Sequence, residues 1–185
     1  MATLGTRQRV EIELDAPRPR RIDAARRSYE LDRSQMTSVL ARQYGLREIE
    51  VINILPNDQV IPLDVSQWEA IIRSFESLEN VHVVFANASG VLEAFGQFGN
   101  FSRTGPYFNV QTKSIDMHLL PDTLAHVFAI EKPGHMDGQS TLSFQFYNTD
   151  GEAAFKVFVT FGGSDPKPER RAQWETIRDR FALAE

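Results

Sequence analysis

The chain has 185 residues, 42% of them hydrophobic and 24% charged, with no cysteine and a net charge of −5. A chain this long buries roughly 70% of its unfolded surface in one well-cored domain, so it needs no disulfide or metal staple, and the lack of cysteine excludes zinc ribbons, iron–sulfur centres and thiol nucleophiles. No apolar run approaches the ~20 residues of a membrane span, and the Met1 end lacks the hydrophobic core of a secretory signal, so the expected address is the cytoplasm, with no stable membrane insertion.

The charge is uneven. Residues 1–36 carry eight Arg against six acids, whereas the remainder carries 12 Lys+Arg against 19 Asp+Glu. An acidic body argues against a nucleic-acid groove, which requires a basic surface. The head, 1–33, shows one short alternation, Val10 to Leu14, then Pro17 and Pro19 among arginines. It reads as an edge strand followed by a loosely ordered, Arg-rich extension outside a single domain over 34–185.

The first helix signal has Ser34 as N-cap, apolar Met36, Val39, Leu40 and Tyr44, and Gly45 as the stop. A second short helix, Leu46 to Leu55, ends at Pro56. A third opens on a capping box at Ser66 to Glu69, with Trp68, Ile71, Ile72, Phe75 and Leu78 on one face. From Val81 the pattern changes to strands: Val81–Ala86, Val91–Gln97, Tyr107–Gln111, Ile115–Leu120, Ala125–Glu131, Thr141–Tyr147 and Ala154–Phe161. The links between them are too short for parallel crossovers, so these six to seven strands form a mostly antiparallel sheet. A last helix follows Pro168, with Trp174, Ile177 and Phe181 on one face. The class is α+β: N-terminal helices packed on the sheet, then a C-terminal helix.

Dinucleotide, P-loop, zincin and hydrolase motifs are all missing. Four histidines occur, His82, His118, His126 and His135, and no two share one element at metal-ligating spacing. Eleven of the thirteen phenylalanines fall in the strand region. The runs Phe144 to Tyr147 and Phe155 to Phe158 put aromatics on both faces of a hairpin. Such a sheet must be covered twice, by helices on one side and by a partner subunit or a flat ligand on the other.

The stretch from Leu40 to about Gly162 resembles the haem utilisation carriers of the HutX/ChuX family, single-repeat relatives of the two-repeat HemS/ChuS haemin-degrading proteins. The resemblance is carried by Gln43-Tyr44-Gly45, Val60-Ile61-Pro62, Val91-Leu92-Glu93, Gly105 to Asn109, Met117-His118-Leu119, Ala125 to Glu131, and Ser143 through Gly151 to Phe158. It implies one repeat of the HemS/ChuX-like fold, a homodimer, and a cytosolic protein that takes up, stores or passes on haem held in an apolar cleft.

By the same resemblance, His118 falls at a haem-ligating position, while the other ligand position falls at Ala86, which cannot bind iron; His82 lies four residues earlier on the same strand face. His118 as ligand competes with His118 as a hydrogen-bonded structural residue. Arg103 and Lys113 read as propionate partners or as solvated charges, and Tyr107 and Phe108 as groups that stack on a porphyrin or pack in the core. His126 reads as a structural imidazole bonded to backbone, and Met117 and Met136 as gap-fillers or surface groups.

Three alternatives stand beside the haem carrier. One is a relative that has lost haem and binds another apolar ligand or a protein. A second is a haem-degrading enzyme with an external electron donor. The last is a helix-turn-helix over Ser38 to Ile49, disfavoured because Glu48 and Glu50 flank the would-be recognition surface.

Overall fold

The computed structural model describes residues 10–135, 139–160 and 166–183. Its elements are α1 (Arg18–Leu31), α2 (Thr37–Gln43), α3 (Glu48–Ile52), β1 (Val60–Leu63), α4 (Trp68–Ser74), β2 (Val81–Ala86), β3 (Val91–Gly96), β4 (Phe101–Thr104), β5 (Tyr107–Gln111), β6 (Asp116–Leu119), β7 (Leu124–Pro133), β8 (Ser140–Asn148), β9 (Ala153–Phe158) and α5 (Pro168–Phe181). The strands make a six-stranded sheet, β1-β7-β8-β9-β2-β3, and a separate three-stranded sheet, β4-β5-β6. Every named pair is antiparallel, so the α+β class holds, with nine strands in two sheets among the described residues rather than six or seven in one. No helix among the described residues is long and apolar enough to cross a membrane.

Strand periodicity divides the large sheet cleanly. Val127, Ala129, Phe144, Phe146, Phe155, Val157, Val81 and Val83 face the main core, where α4 supplies Ile71 and Ile72 and α5 supplies Trp174, Ile177 and Phe181. The small sheet contributes Phe108, Val110, Met117 and Leu119 to the same core. On the opposite, outer face, Phe128, Ile130 and Tyr147 pack against Ile52 of α3. A second cluster, Ala24, Ala25, Tyr29, Leu40, Tyr44 and Val51, holds α1, α2 and α3 to one another. The chain's own helical layer therefore covers much of the face that the sequence assigns to a partner or ligand.

The Arg-rich head is part of that layer, which corrects the expectation of a loose extension through residue 33. Pro17 and Pro19 read as a linker, yet a proline in the first turn suits a helix start, because the amide it lacks has no partner there in any case. Ala24, Ala25, Ser28 and Tyr29 are buried on α1. The arginines are used locally: Arg21 Nη1 donates to Tyr44 O at 2.9 Å and Arg18 Nε to Glu50 Oε1 at 2.7 Å. Val10 to Leu14 is not a strand; Tyr44 Oη donates to Val10 O at 2.6 Å and pins this segment beside α2.

Gly45 does end α2. Its φ of +58° lets Leu46 N donate to Ala41 O and Gly45 N to Arg42 O, the paired closure of a left-handed helix end. The helix begins at Thr37, later than Ser34, whose hydroxyl bonds Asp32 instead. Likewise the Ser66 to Glu69 capping box does not form: Asp64 accepts from Ser66 N at 3.0 Å and a single 3-10 turn precedes α4. The helix-turn-helix reading also falls, since Glu48, Val51 and Ile52 of α3 are buried, with α3 set against the sheet.

Two contacts seat the helical layer. Gly151, in the turn between β8 and β9, has φ +78° and accepts from Ile49 N at 3.1 Å; a Cβ there would sit 2.6 Å from Ile49 Cγ2. Beside it Lys156, from the outer face of β9, bonds Glu48, which also takes the Thr37 hydroxyl. Both charges are nearly sequestered from water. Next to this pair on β8, Tyr147 Oη donates to Gln145 Oε1 at 2.8 Å, and burial, reinforced by the Glu48 carboxylate, pushes the phenol well above its ordinary pKa.

Removing one member of a buried ion pair strands the other charge in a low-dielectric site. Glu48→Ala is expected to lower the unfolding free energy by about 3–5 kcal/mol. Urea denaturation should show that loss, and Glu48→Leu combined with Lys156→Met should recover most of it.

Candidate functional site

The small sheet has two faces of opposite chemistry. In register, Phe101 faces Val110, Arg103 faces Phe108, Phe108 faces Leu119 and Val110 faces Met117, so these residues line the inner, core-side face. The alternate positions, Ser102, Thr104, Tyr107, Asn109, Gln111, Asp116 and His118, form the outer face. The six residues expected at one site are therefore divided among separate surfaces.

His118 and Tyr107 remain together. The His118 side chain is 52% exposed, its Nδ1 lies 2.7 Å from Asn109 Oδ1 and its Nε2 3.5 Å from Asp116 Oδ1. The Tyr107 ring meets it edge-on with centroids 6.3 Å apart. Lys113 is exposed on the turn joining β5 to β6, next to the Gln111 and Asp116 end of this face.

Arg103 and Phe108 belong to the other side. Phe108 is fully buried with its ring edge-on to Trp68 at 5.1 Å. The Arg103 guanidinium lies over the Trp68 and Phe108 rings, at 5.4 and 5.7 Å, and bonds Glu69. Glu69 also takes Arg73 Nε at 2.9 Å, and hydrogen bonds from these two guanidinium groups, Arg103 foremost, hold its carboxyl below the usual value. Arg103 is thus a clamp between β4 and α4.

His82 is on a third surface. It projects from the outer face of the large sheet, stacked on Phe95 with centroids 4.2 Å apart and planes at 15°, with Nε2 3.3 Å from Glu93 Oε2. Strand pairing sets Ala86 on the same face, and the main core lies between this face and His118. One chain cannot bring His82 and His118 to a single iron. His126 is exposed and stacked beside Phe128 at 6.2 Å rather than enclosed and bonded to backbone, His135 is exposed in its turn, and Met117 is a core filler. Met136 lies outside the described residues.

The sequence reading passed over Asn109, although it is only 3% exposed and shares its face with His118. The available signal was the alternation Phe108-Asn109-Val110, in which a polar residue sits between two core positions and so belongs to the opposite face. That face is open and polar rather than an apolar cleft. Shallow concavities of about 420 Å³ beside Glu13, Gln43 and Tyr44, and of about 340 Å³ beside Asp58, Gln59 and Lys132, lie elsewhere. Among the described residues no group of three or more His, Cys, Asp or Glu could hold a bare metal ion.

Because the folded carboxyl of Glu69 titrates below its ordinary value, its pairing with Arg103 stabilises the fold at neutral pH and is lost as the pH falls through that lowered value. Arg103→Ala should cost less than about 1 kcal/mol, as for a partly exposed pair. Denaturation curves at pH 7 and pH 3 should show the difference between wild type and variant shrinking at the lower pH.

Over 149 residues the chain is 24% identical to the intracellular heme transport protein HutX of Vibrio cholerae, covering 77% of this chain and 75% of that one. The fold superposes on the heme-binding protein ChuX with a TM-score of 0.72 at 21% identity, covering 84% of this chain and 97% of ChuX. It also superposes on the heme-degrading enzyme ChuS of Escherichia coli O157:H7 with a TM-score of 0.73 at 20% identity, spanning 90% of this chain and 47% of ChuS, about one of two repeats. Residues 61–177, from the second residue of β1 through most of α5 and including both sheets, match the family described as haem utilisation ChuX/HutX. The chain belongs to that family.

Proposed function

We propose that this protein binds haem as cargo and carries it within the cell, with His118 giving the iron an axial bond from the outer face of the small sheet. Membership of the haem utilisation family supplies the ligand class, and HutX is itself an intracellular heme transporter. The observation that carries the site is the His118 imidazole: it is half exposed, its Nδ1 is engaged by Asn109, and its Nε2 lies 3.5 Å from the exposed Asp116 carboxylate. Neutral imidazole nitrogen is a common haem ligand, and one protein ligand favours a complex that can be handed on. Tyr107 offers an aromatic edge beside the ring, and Lys113 a cation for a propionate. Arg103, Phe108 and His82 take no part in this site.

A haemin titration followed by absorbance tests the reading. Wild type is expected to give a saturable Soret shift at one haem per chain, and His118→Ala to weaken binding at least tenfold or change the spectrum. An unaltered shift in His118→Ala would move the site elsewhere. No saturable binding in the wild type would leave a family member adapted to another apolar ligand.

The same reading includes a homodimer. The helical layer stops short of β2 and β3, where the outer face carries His82, Val84 and Phe158, together with Val91 and Phe95, which are 64% and 55% exposed. Exposed apolar side chains at the end of a sheet, set around Glu93, fit a partner subunit, since monomers seldom leave such groups clustered in water. Phe95→Asp should convert a dimer to a monomer in light scattering without altering the far-ultraviolet spectrum; a wild-type monomer would refute the pairing.

A further inference from the structure

Hydrogen bonds join five side chains in series on the outer face of the small sheet, and each bond has a direction. Asp116 is a carboxylate and can only accept; Gln111 Nε2 donates to its Oδ1 at 3.3 Å. That fixes the Gln111 amide so that its Oε1 receives the Ser102 hydroxyl proton at 3.4 Å. Ser102 Oγ, its proton used, accepts from Asn109 Nδ2 at 3.0 Å, and Thr104 Oγ1 accepts from the same nitrogen at 3.2 Å. Asn109 Oδ1 is then left facing His118 Nδ1 at 2.7 Å. The His118 Nε2 lies 3.5 Å from Asp116 Oδ1, an ion-pair approach rather than a further hydrogen bond of the series.

The direction of the series decides where the imidazole proton sits. A buried amide must satisfy both ends, and Asn109 is almost wholly enclosed. Turning it over would set its oxygen against Ser102 Oγ, whose proton serves Gln111, and give up the two donations to Ser102 and Thr104. With the amide held as it is, Nδ1 must donate, so neutral His118 carries its proton on Nδ1 and presents a bare lone pair at Nε2. A 2.7 Å bond to an amide oxygen retains a proton better than a 3.5 Å approach to an exposed carboxylate.

We propose that Asn109 is the positioning residue of the haem site: oriented by Ser102, Thr104 and Gln111, it locks His118 in the Nδ1–H tautomer and leaves Nε2 ready for iron. This rests on the assignment of His118 as the haem ligand. Metal-bound histidines commonly donate the distal ring proton to such an acceptor, which fixes the ring and makes the ligating nitrogen more basic. Asn109 thereby controls the strength of the iron bond without touching haem.

The tautomer is read first on the haem-free protein, by ¹⁵N-detected two-bond correlations of ring-labelled histidine. Wild-type His118 is expected as Nδ1–H, and Asn109→Leu as the Nε2–H form preferred by free imidazole. An Nε2–H wild type would overturn the proposal whether or not haem binds. With haemin, Asn109→Leu is expected to weaken affinity roughly 10–100-fold and lower the iron–histidine stretching frequency in the ferrous complex. Asn109→Asp, which keeps an acceptor at Nδ1, should retain affinity and raise that frequency, a response that mere loss of packing would not give. Affinity and frequency unchanged in both variants would overturn the positioning role. If His118→Ala binds haem normally, the ligand assignment fails and the iron clause with it, while the ring measurement still decides the tautomer.

Discussion

The central strands β7, β8 and β9 are buried on both faces, and the rest of the molecule is arranged to keep water from both. The core side is filled by α4, α5 and the inner face of the small sheet. The outer side is covered by α1, α2 and α3 only over β7, β8 and part of β9. There the fold places a deeply enclosed ion pair, Lys156 with Glu48. Hydrophobic packing is indifferent to register, whereas a charge in a dry interface is tolerated only opposite its partner, so this pair fixes how the helices sit on the sheet.

The same division explains why chemistry gathers on the small sheet. Its inner face is occupied by the core, and its edge is clamped to α4 by Arg103 and Glu69. A rigid backing of this kind lets the outer face carry a hydrogen-bonded arrangement of polar side chains whose positions are set by strand register rather than by a mobile loop. His118 draws its geometry from β5 and β4, two strands away in pairing order, although no residue beside it in sequence marks it as special.

Much of this was legible beforehand. Strands with strict alternation, such as Val81–Ala86 and Tyr107–Gln111, match the observed bounds, and the closure of α2 at Gly45 follows from the conformation that glycine alone adopts without strain. The short strands β1 and β4 escaped notice: Val60–Leu63 contains a proline and Phe101–Thr104 ends in polar residues, so neither shows a run of strand-formers. Helix α1 was hidden because small alanines, not large apolar residues, make its buried stripe, with arginines around them. Lys156 stood among aromatics with no local hint of Glu48. Of the site, the family likeness singled out His118, and Arg103, Lys113, Tyr107 and Phe108 were grouped with it by nearness in sequence, which does not tell which face of a strand a residue occupies.

The ion pair that seats the helices also imposes an order on synthesis. Glu48 and Lys156 are 108 residues apart. At a ribosomal rate of about 5–20 residues per second, Glu48 emerges roughly 5–20 s before its partner exists. Over that interval α1, α2 and α3 can associate with one another through Ala24, Tyr29, Leu40 and Tyr44, while the side of α3 that will meet the sheet stays in water with an unpaired carboxylate. Burying that carboxylate without Lys156 would enclose an uncompensated charge, so full docking of the layer waits on the β8–β9 hairpin.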